Sequence, residues 1–280
     1  MTTQQITLEP MTPEHLNGAV ELSRQVGWPH RREDWELVHS LSQGVVSLDR
    51  GRVVATTLLT PYGEDAANIN MVIVDASMRG RGLGRMLMEW ALAKAGERSC
   101  HLVATLEGLP LYEKLGFVAT GKIAQHQGEA LPVDAPDHVS WSDAGDNVRL
   151  VMLDRAGFGH DRSGLMQLLH ERAQFAVIRD EGDAQAFAAI RAFGRGCVIG
   201  PVVARDRAEA EALIRFLLAH HRGKFVRIDT DADTNLAGWL AERGLARVGG
   251  GISMRRSVAG QRERELGRHR PYALVSQALG

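Results

Sequence analysis

Met71-Val-Ile-Val-Asp-Ala-Ser-Met-Arg-Gly-Arg-Gly-Leu-Gly-Arg-Met-Leu-Met88 decides how the chain is read. A β-branched strand ends in a glycine-rich turn that leads straight into an apolar helical pattern. Gly80, Gly82 and Gly84 can take positive φ and let a ligand come close to the backbone. The first amides of the helix have no partners inside it and point at whatever lies in front. With the helix dipole they form an anion site suited to a pyrophosphate. Arg79, Arg81 and Arg85 add positive charge around it, with Leu83 between the last two glycines. The glycine spacing differs from that of a dinucleotide-binding loop. No Lys-Ser/Thr follows the last glycine, as a triphosphate-binding loop would require.

Outward from this loop, the first half alternates between helical and strand patterns. Residues 14–26 read as a helix entered through Thr12 as N-cap and Pro13 at the first helical position. Residues 32–41 read as a second helix. Two β-branched runs, 45–48 and 53–60, flank Asp49-Arg50-Gly51, which is a hairpin signal. Residues 68–75 are the strand into the loop and 84–97 the helix out of it. A short strand at 101–105, a short helix at 110–115 and a strand at 117–125 complete the half. Residues 127–147 contain Pro132 and Pro136 without sustained periodicity and read as a linker. Residues 148–153 read as a new strand and 162–173 as a helix.

The glycine loop resembles the coenzyme-A loop of the GCN5-related N-acetyltransferases, the GNAT family, whose motif is Gln/Arg-x-x-Gly-x-Gly/Ala. Arg79, Gly82 and Gly84 match it, and Leu111-Tyr-Glu-Lys-Leu-Gly-Phe117 is similar to the family's Leu-Tyr-x-x-x-Gly-Phe motif. The resemblance covers residues 5–128. It implies a mixed, twisted, mostly antiparallel α/β sheet flanked by helices, with strands four and five splayed at a bulge. Backbone groups of Met71, Val72, Ile73 and Val74 would bind the pantetheine arm of acetyl-CoA there, and Tyr112 would protonate the departing thiolate. Two departures stand out: a family Asn falls on Thr105, and a catalytic Glu of several members falls near Asn68, which cannot act as a base. The acceptor pocket is expected between the first two helices. There His30 is a candidate base in a suitable pKa range, and Trp28 and Asp34 are candidate lining residues.

The second half repeats the first at a nearly constant offset. Tyr112–Gly121 lines up with Leu240–Gly249, Met86–Ala95 with Ile214–Gly223, and the hairpin Val45–Gly51 with Ala176–Gly182. This predicts tandem copies of one fold: a catalytic domain at 1–128, a linker at 129–147 and a degenerate domain at 148–280. In the second copy the glycine loop falls on Arg207-Ala-Glu-Ala-Glu-Ala212 and Tyr112 on Leu240. That copy is therefore expected to be structural, covering the acceptor side of the first or acting as a partner in a homodimer.

Composition narrows the class. The chain has 280 residues, 44% hydrophobic and 24% charged, with Lys+Arg 33 against Asp+Glu 34. That balance argues against a general nucleic-acid or anionic-membrane binder. Cys100 and Cys197 form neither a metal cluster nor a disulfide framework. No signal sequence or membrane-spanning run is visible, and a cytoplasmic location is expected. The resemblance implies transfer of an acetyl group from acetyl-CoA to a primary amine, read as that of a small molecule. A protein N-terminus or lysine as acceptor, and an acyl-CoA sensor without turnover, are the alternatives.

Gly82→Glu would put a side chain and a negative charge where phosphate should sit. Calorimetry is expected to show acetyl-CoA binding abolished in a folded variant. Unchanged affinity would remove the site assignment.

Overall fold

The computed structural model describes residues 7–258 and 267–280. The first repeat supplies β1 (Glu9–Pro10), α1 (Leu16–Gln25), α2 (Arg32–Ser40), β2 (Gln43–Asp49), β3 (Arg52–Tyr62), β4 (Ala66–Val74), α3 (Leu83–Ala95), β5 (Ser99–Ala104), α4 (Leu109–Lys114) and β6 (Val118–Glu129). The second supplies β7 (Val139–Trp141), α5 (Asn147–Phe158), α6 (Ser163–Arg172), β8 (Gln174–Asp180), β9 (Asp183–Phe193), β10 (Gly196–Ala204), α7 (Arg207–Ala219), β11 (Phe225–Asp231), α8 (Ala237–Ala241), β12 (Ala246–Arg256) and β13 (Arg270–Ala273). Among the described residues no helix is long and apolar enough to cross a membrane.

All these strands join one mixed, mostly antiparallel sheet in the order β1-β2-β3-β4-β5-β12-β6-β11-β13-β10-β9-β8-β7. The repeats exchange strands at its centre. β12, from the second repeat, runs antiparallel between β5 and β6 of the first. β6 in turn runs antiparallel between β12 and β11. Each repeat therefore has a strand of the other inserted next to its own fifth strand. Neither β5 nor β11 presents an unpaired inner edge, which would otherwise invite pairing with a foreign strand.

Along β8 and β9 both faces of the sheet are buried. On β8, Phe175 and Val177 enter one apolar cluster while Ala176 and Ile178 enter another. On β9, Phe187 and Ala189 alternate in the same way with Ala186, Ala188 and Ile190. This is the two-residue period of a strand buried on both sides. One cluster is shared between repeats: Leu16 and Leu22 of α1 and Trp35 of α2 pack with Leu150 and Leu153 of α5 and Leu165 and Leu169 of α6. α3 and α7 each cover a separate cluster.

Three expectations need correction. Residues 148–153 are not a strand but lie in helix α5. Leu150, Leu153 and Gly157 are buried at helical spacing, while Val148 and Met152 face out. A compact apolar run suits either structure, and the i, i+3, i+7 pattern decides here. The stretch read as a linker supplies β7, which pairs with β8 at the sheet edge. The repeat alignment also slips. α7 begins at Arg207, four residues earlier than the sequence match to α3 implies. Four residues is about one helical turn, so the slipped match still superimposes apolar faces.

The exchange of β6 and β12 predicts that the repeats do not fold apart. The fragment 1–147 would leave β5 and β6 without the strand that joins them. It is expected to be unfolded or aggregated by circular dichroism, while the whole chain melts in one transition. A soluble fragment with cooperative unfolding would overturn this.

Candidate functional site

The site starts from a break in the β4 ladder. Met71 has φ 51, in the left-handed region. At that point the register of β4 against β3 shifts between Thr56 and Leu58, so Met71 and Val72 bulge outward. The buried Thr56 hydroxyl donates to the Met71 carbonyl at 2.8 Å and fixes the bulge. On the other side, β4 pairs in parallel with β5 only over Ala66–Asn68. Beyond Asn68 the two strands part, and Met71–Val74 line the resulting cavity of about 860 Å³.

At one end the cavity reaches the glycine loop, with Arg79 and Gly84 in its wall. Gly82, at φ 81, is the N-cap of α3, and no side chain caps the helix. The Met86 amide is the first to bond back, to the Gly82 carbonyl at 3.0 Å. The amides of Leu83, Gly84 and Arg85 are thus the free ones at the helix start. A Cβ on Gly82 would meet nothing within 4 Å, although the positive φ strains any replacement. Gly80, Arg81 and Arg85 are exposed around this opening, while Leu83 is buried beneath α3. Arg79 pairs with Glu107 across the mouth at 3.5 Å. Thr105 borders the cavity and accepts a hydrogen bond from the Gly108 amide at 3.2 Å through its hydroxyl.

Tyr112 lines the same cavity and is buried, 8% exposed. Its ring packs edge-on to Phe117 at 6.2 Å. Among the described residues its hydroxyl makes no hydrogen bond. Burial pushes its pKa up to about 12, so the phenol holds its proton throughout the physiological range.

The opposite end draws on both repeats. Trp28 and His30 line it, facing Phe193 at the end of β9, with the His30 and Phe193 rings 5.7 Å apart. Burial lowers the His30 pKa to about 4, against the opposing pull of Asp34, so the ring is neutral. Its Nδ1 lies 3.2 Å from Ser23 Oγ.

Asp34 and Asn68, expected in the pocket, are not in its wall. The Asp34 carboxylate accepts from the Arg31 amide at 2.9 Å, from Arg31 Nη2 at 2.8 Å and from the Gly194 amide at 3.0 Å. It ties α2 to the second repeat. Burial would raise its pKa, but these hydrogen bonds outweigh burial and hold it low. Asn68 sits in the last paired stretch of β4, before the strands part, with its amide close to Gly280.

Asn70, two residues on, takes the place expected for Asn68. It lines the cavity, donates to Thr60 Oγ1 at 2.9 Å, and leaves a buried Oδ1 without a partner. What separates it from Asn68 is the end of the β5 ladder, which stops at Asn68 and leaves Asn70 beside the gap. Gln125, Arg227 and Gln277 were also missed. They come from β6, β11 and the segment after β13, and no local signal connects them to the loop.

The second repeat closes the corresponding gap with its own chain. β10 pairs with β11 only over Cys197–Ile199. β13 then enters between them, pairing Val202–Ala204 of β10 on one side and Thr230 of β11 on the other. Gly200, at φ 151, allows this approach, since a Cβ there would stand 1.8 Å from the Leu274 carbonyl oxygen. The glycine loop is deleted rather than substituted: only Arg205 and Asp206 separate β10 from α7. Asp206 caps α7 through the Glu209 amide at 2.9 Å. Arg205 and Arg207 are paired with Glu209 and Glu211.

A strand pair splayed at a bulge and aimed at an open helix start, on a fold that occurs twice in the chain, points to a class of acyltransferase folds. The family model described as an acetyltransferase (GNAT) domain matches residues 41–119, and a second of the same description matches 150–266. The uncharacterized N-acetyltransferase YitH of Bacillus subtilis (strain 168) is 30% identical over 285 residues, covering 95% of this chain and 96% of that protein. The chain belongs to the GNAT acetyltransferase family, in its tandem form. A Pyrococcus horikoshii protein with a provisional acetyltransferase assignment shares the fold at TM-score 0.82 and 18% identity, over 100% of this chain and 98% of that one. A tandem GNAT protein from the clavulanic acid biosynthesis pathway does so at TM-score 0.64 and 16% identity, over 92% and 100%.

The asymmetry between the gaps predicts one acyl-CoA per chain. Calorimetric titration with acetyl-CoA is expected to saturate at one equivalent. Two equivalent sites would contradict it.

Proposed function

We propose that the chain transfers an acetyl group from acetyl-CoA to the primary amine of a small molecule, with the first repeat carrying the chemistry. One observation carries this reading. The backbone of Met71–Val74, unpaired on its β5 side, the open start of α3 and the Tyr112 phenol border a single cavity, while the equivalent gap in the second repeat is filled by β13.

The residues present fit the cofactor. The free amides at the start of α3, with Arg79, Arg81 and Arg85, would hold the pyrophosphate. The β4 backbone past the bulge would hold the pantetheine amides as an added strand does. When bound, the group supplies a thioester carbonyl open to attack by an amine.

The chain's own groups do the rest. Backbone N–H groups near Ile73 can donate to the carbonyl oxygen as negative charge develops there. Tyr112 keeps its proton and can deliver it to the leaving sulfur, and the proton that the attacking nitrogen loses as the amide forms replaces it through water. Asn70 Oδ1 can accept a hydrogen bond from the incoming amine and hold its nitrogen. His30 is too weak a base, at about 4, to take a proton from an ammonium group. Water takes that proton before attack in this reading. Walls from both repeats around the acceptor end favour a small acceptor over a protein surface.

Tyr112→Phe is expected to lower kcat by about 10²–10⁴, the span of general acid catalysis. Acetyl-CoA affinity should change little, because the phosphate grip lies elsewhere, and the loss should fall on kcat. The hydroxyl has no hydrogen bond to lose, so stability should fall by less than about 1 kcal/mol. Near-normal turnover with a large drop in Tm would mark Tyr112 as a packing residue.

A further inference from the structure

The acceptor end of the cavity holds an arginine whose bonding is incomplete. Arg227 of β11 lines the cavity and is 9% exposed. Its Nε and Nη2 donate to Asp229 at 2.9 and 3.0 Å. Among the described residues its Nη1 makes no hydrogen bond, and the guanidinium lies 5.3 Å from the Phe193 ring centroid. Gln277 Nε2 donates to the same Asp229 carboxylate at 2.9 Å, which fixes the acid and, through it, the arginine.

A second buried arginine stands behind this wall. Asp34 is satisfied by Arg31 and the Gly194 amide, and Arg191 stands 3.9 Å from it. Arg191 is itself buried, 6% exposed, with its Nε unpaired. Arg31, at the surface, also has Glu33 at 4.0 Å, so Asp34 and Asp229 are left facing the buried Arg191 and Arg227. His30, beside them, is neutral. The Nη1 donors of Arg227 are left for an anion in the cavity. A carboxylate takes one or two N–H donors of an arginine in its plane.

We infer that the acceptor is a small amino carboxylate, its carboxylate on Arg227 Nη1 and its amine at Asn70, with its apolar part against Trp28 and Phe193. The second repeat would then select the acceptor, while the first activates the acyl group. This inference rests on the transferase reading given above.

Matched substrates test it. Initial rates of thiol release from acetyl-CoA would be measured with apolar amino acids and with their carboxamides. The carboxamide's amine loses its proton more readily, so the comparison is biased against the proposal. The acid is expected to exceed its amide in kcat/KM by about 10- to 100-fold, the range for a hydrogen bond to a charged group. Arg227→Gln should bring that ratio to about one through KM, with little change for the amide and in calorimetric acetyl-CoA affinity. A wild-type ratio of one or below, or an equal loss for acid and amide in the variant, would overturn it. Should Arg227→Gln unfold because Asp229 is left alone, the double variant Arg227→Gln/Asp229→Asn removes both charges, and the same ratio is read there. Failure of the wild-type chain to bind acetyl-CoA would strike the cofactor reading instead. If acetyl-CoA binds but no amine releases thiol, the transferase reading falls. Calorimetry of acid against amide on the CoA-loaded chain then decides: tighter binding of the acid supports the assignment to Arg227, and equal or absent binding overturns it.

Discussion

Once β4 bulges at Met71, its remaining backbone groups cannot reach β5, and a strand edge buried inside a protein must find partners. Much of the functional architecture follows from that requirement. In the second repeat the chain answers it with β13, which pairs with β10 and touches β11 where the ladder between them stops. In the first repeat the same parting of strands opens a cavity that runs from the start of α3 to Trp28 and Phe193. The halves share a fold and differ in what supplies the missing strand.

Anion binding diverges along with the gap. Eight residues, 75–82, join β4 to α3, and two join β10 to α7. The longer connection leaves Gly82 as an uncapped helix start. The shorter one places Asp206 on the Glu209 amide, so the protein's own carboxylate takes the position an anion would occupy. Removing the loop and plugging the gap are mutually consistent changes, because neither half of a cofactor site is of use without the other.

The second repeat nonetheless remains part of the site. β12 completes the sheet beside β5, Gly194 holds Asp34 and hence α2, and Phe193 and Arg227 form part of the cavity wall. Strand exchange makes this geometry rigid: a domain docked through surface contacts alone could shift, whereas one threaded through the partner's sheet cannot move without breaking ladder hydrogen bonds.

The sequence by itself determined the local chemistry. The spacing of Arg79, Gly82 and Gly84, with Tyr112 following, is set by backbone conformation and a helix start, both encoded within a few residues. The tandem repeat was legible for the same reason, since apolar period survives divergence. That tolerance to slippage also hid the loss of the loop before α7, and it let an apolar run at 148–153 pass for a strand. Only the tertiary structure decided that Asn70 rather than Asn68 lines the cavity, because the ladder between β4 and β5 ends at Asn68. The exchange of β6 and β12, the plug formed by β13 and the meeting of Arg227 with His30 were likewise decided there. Those contacts join residues up to about two hundred positions apart through strand pairing, and no short-range pattern specifies which strand a buried edge will accept.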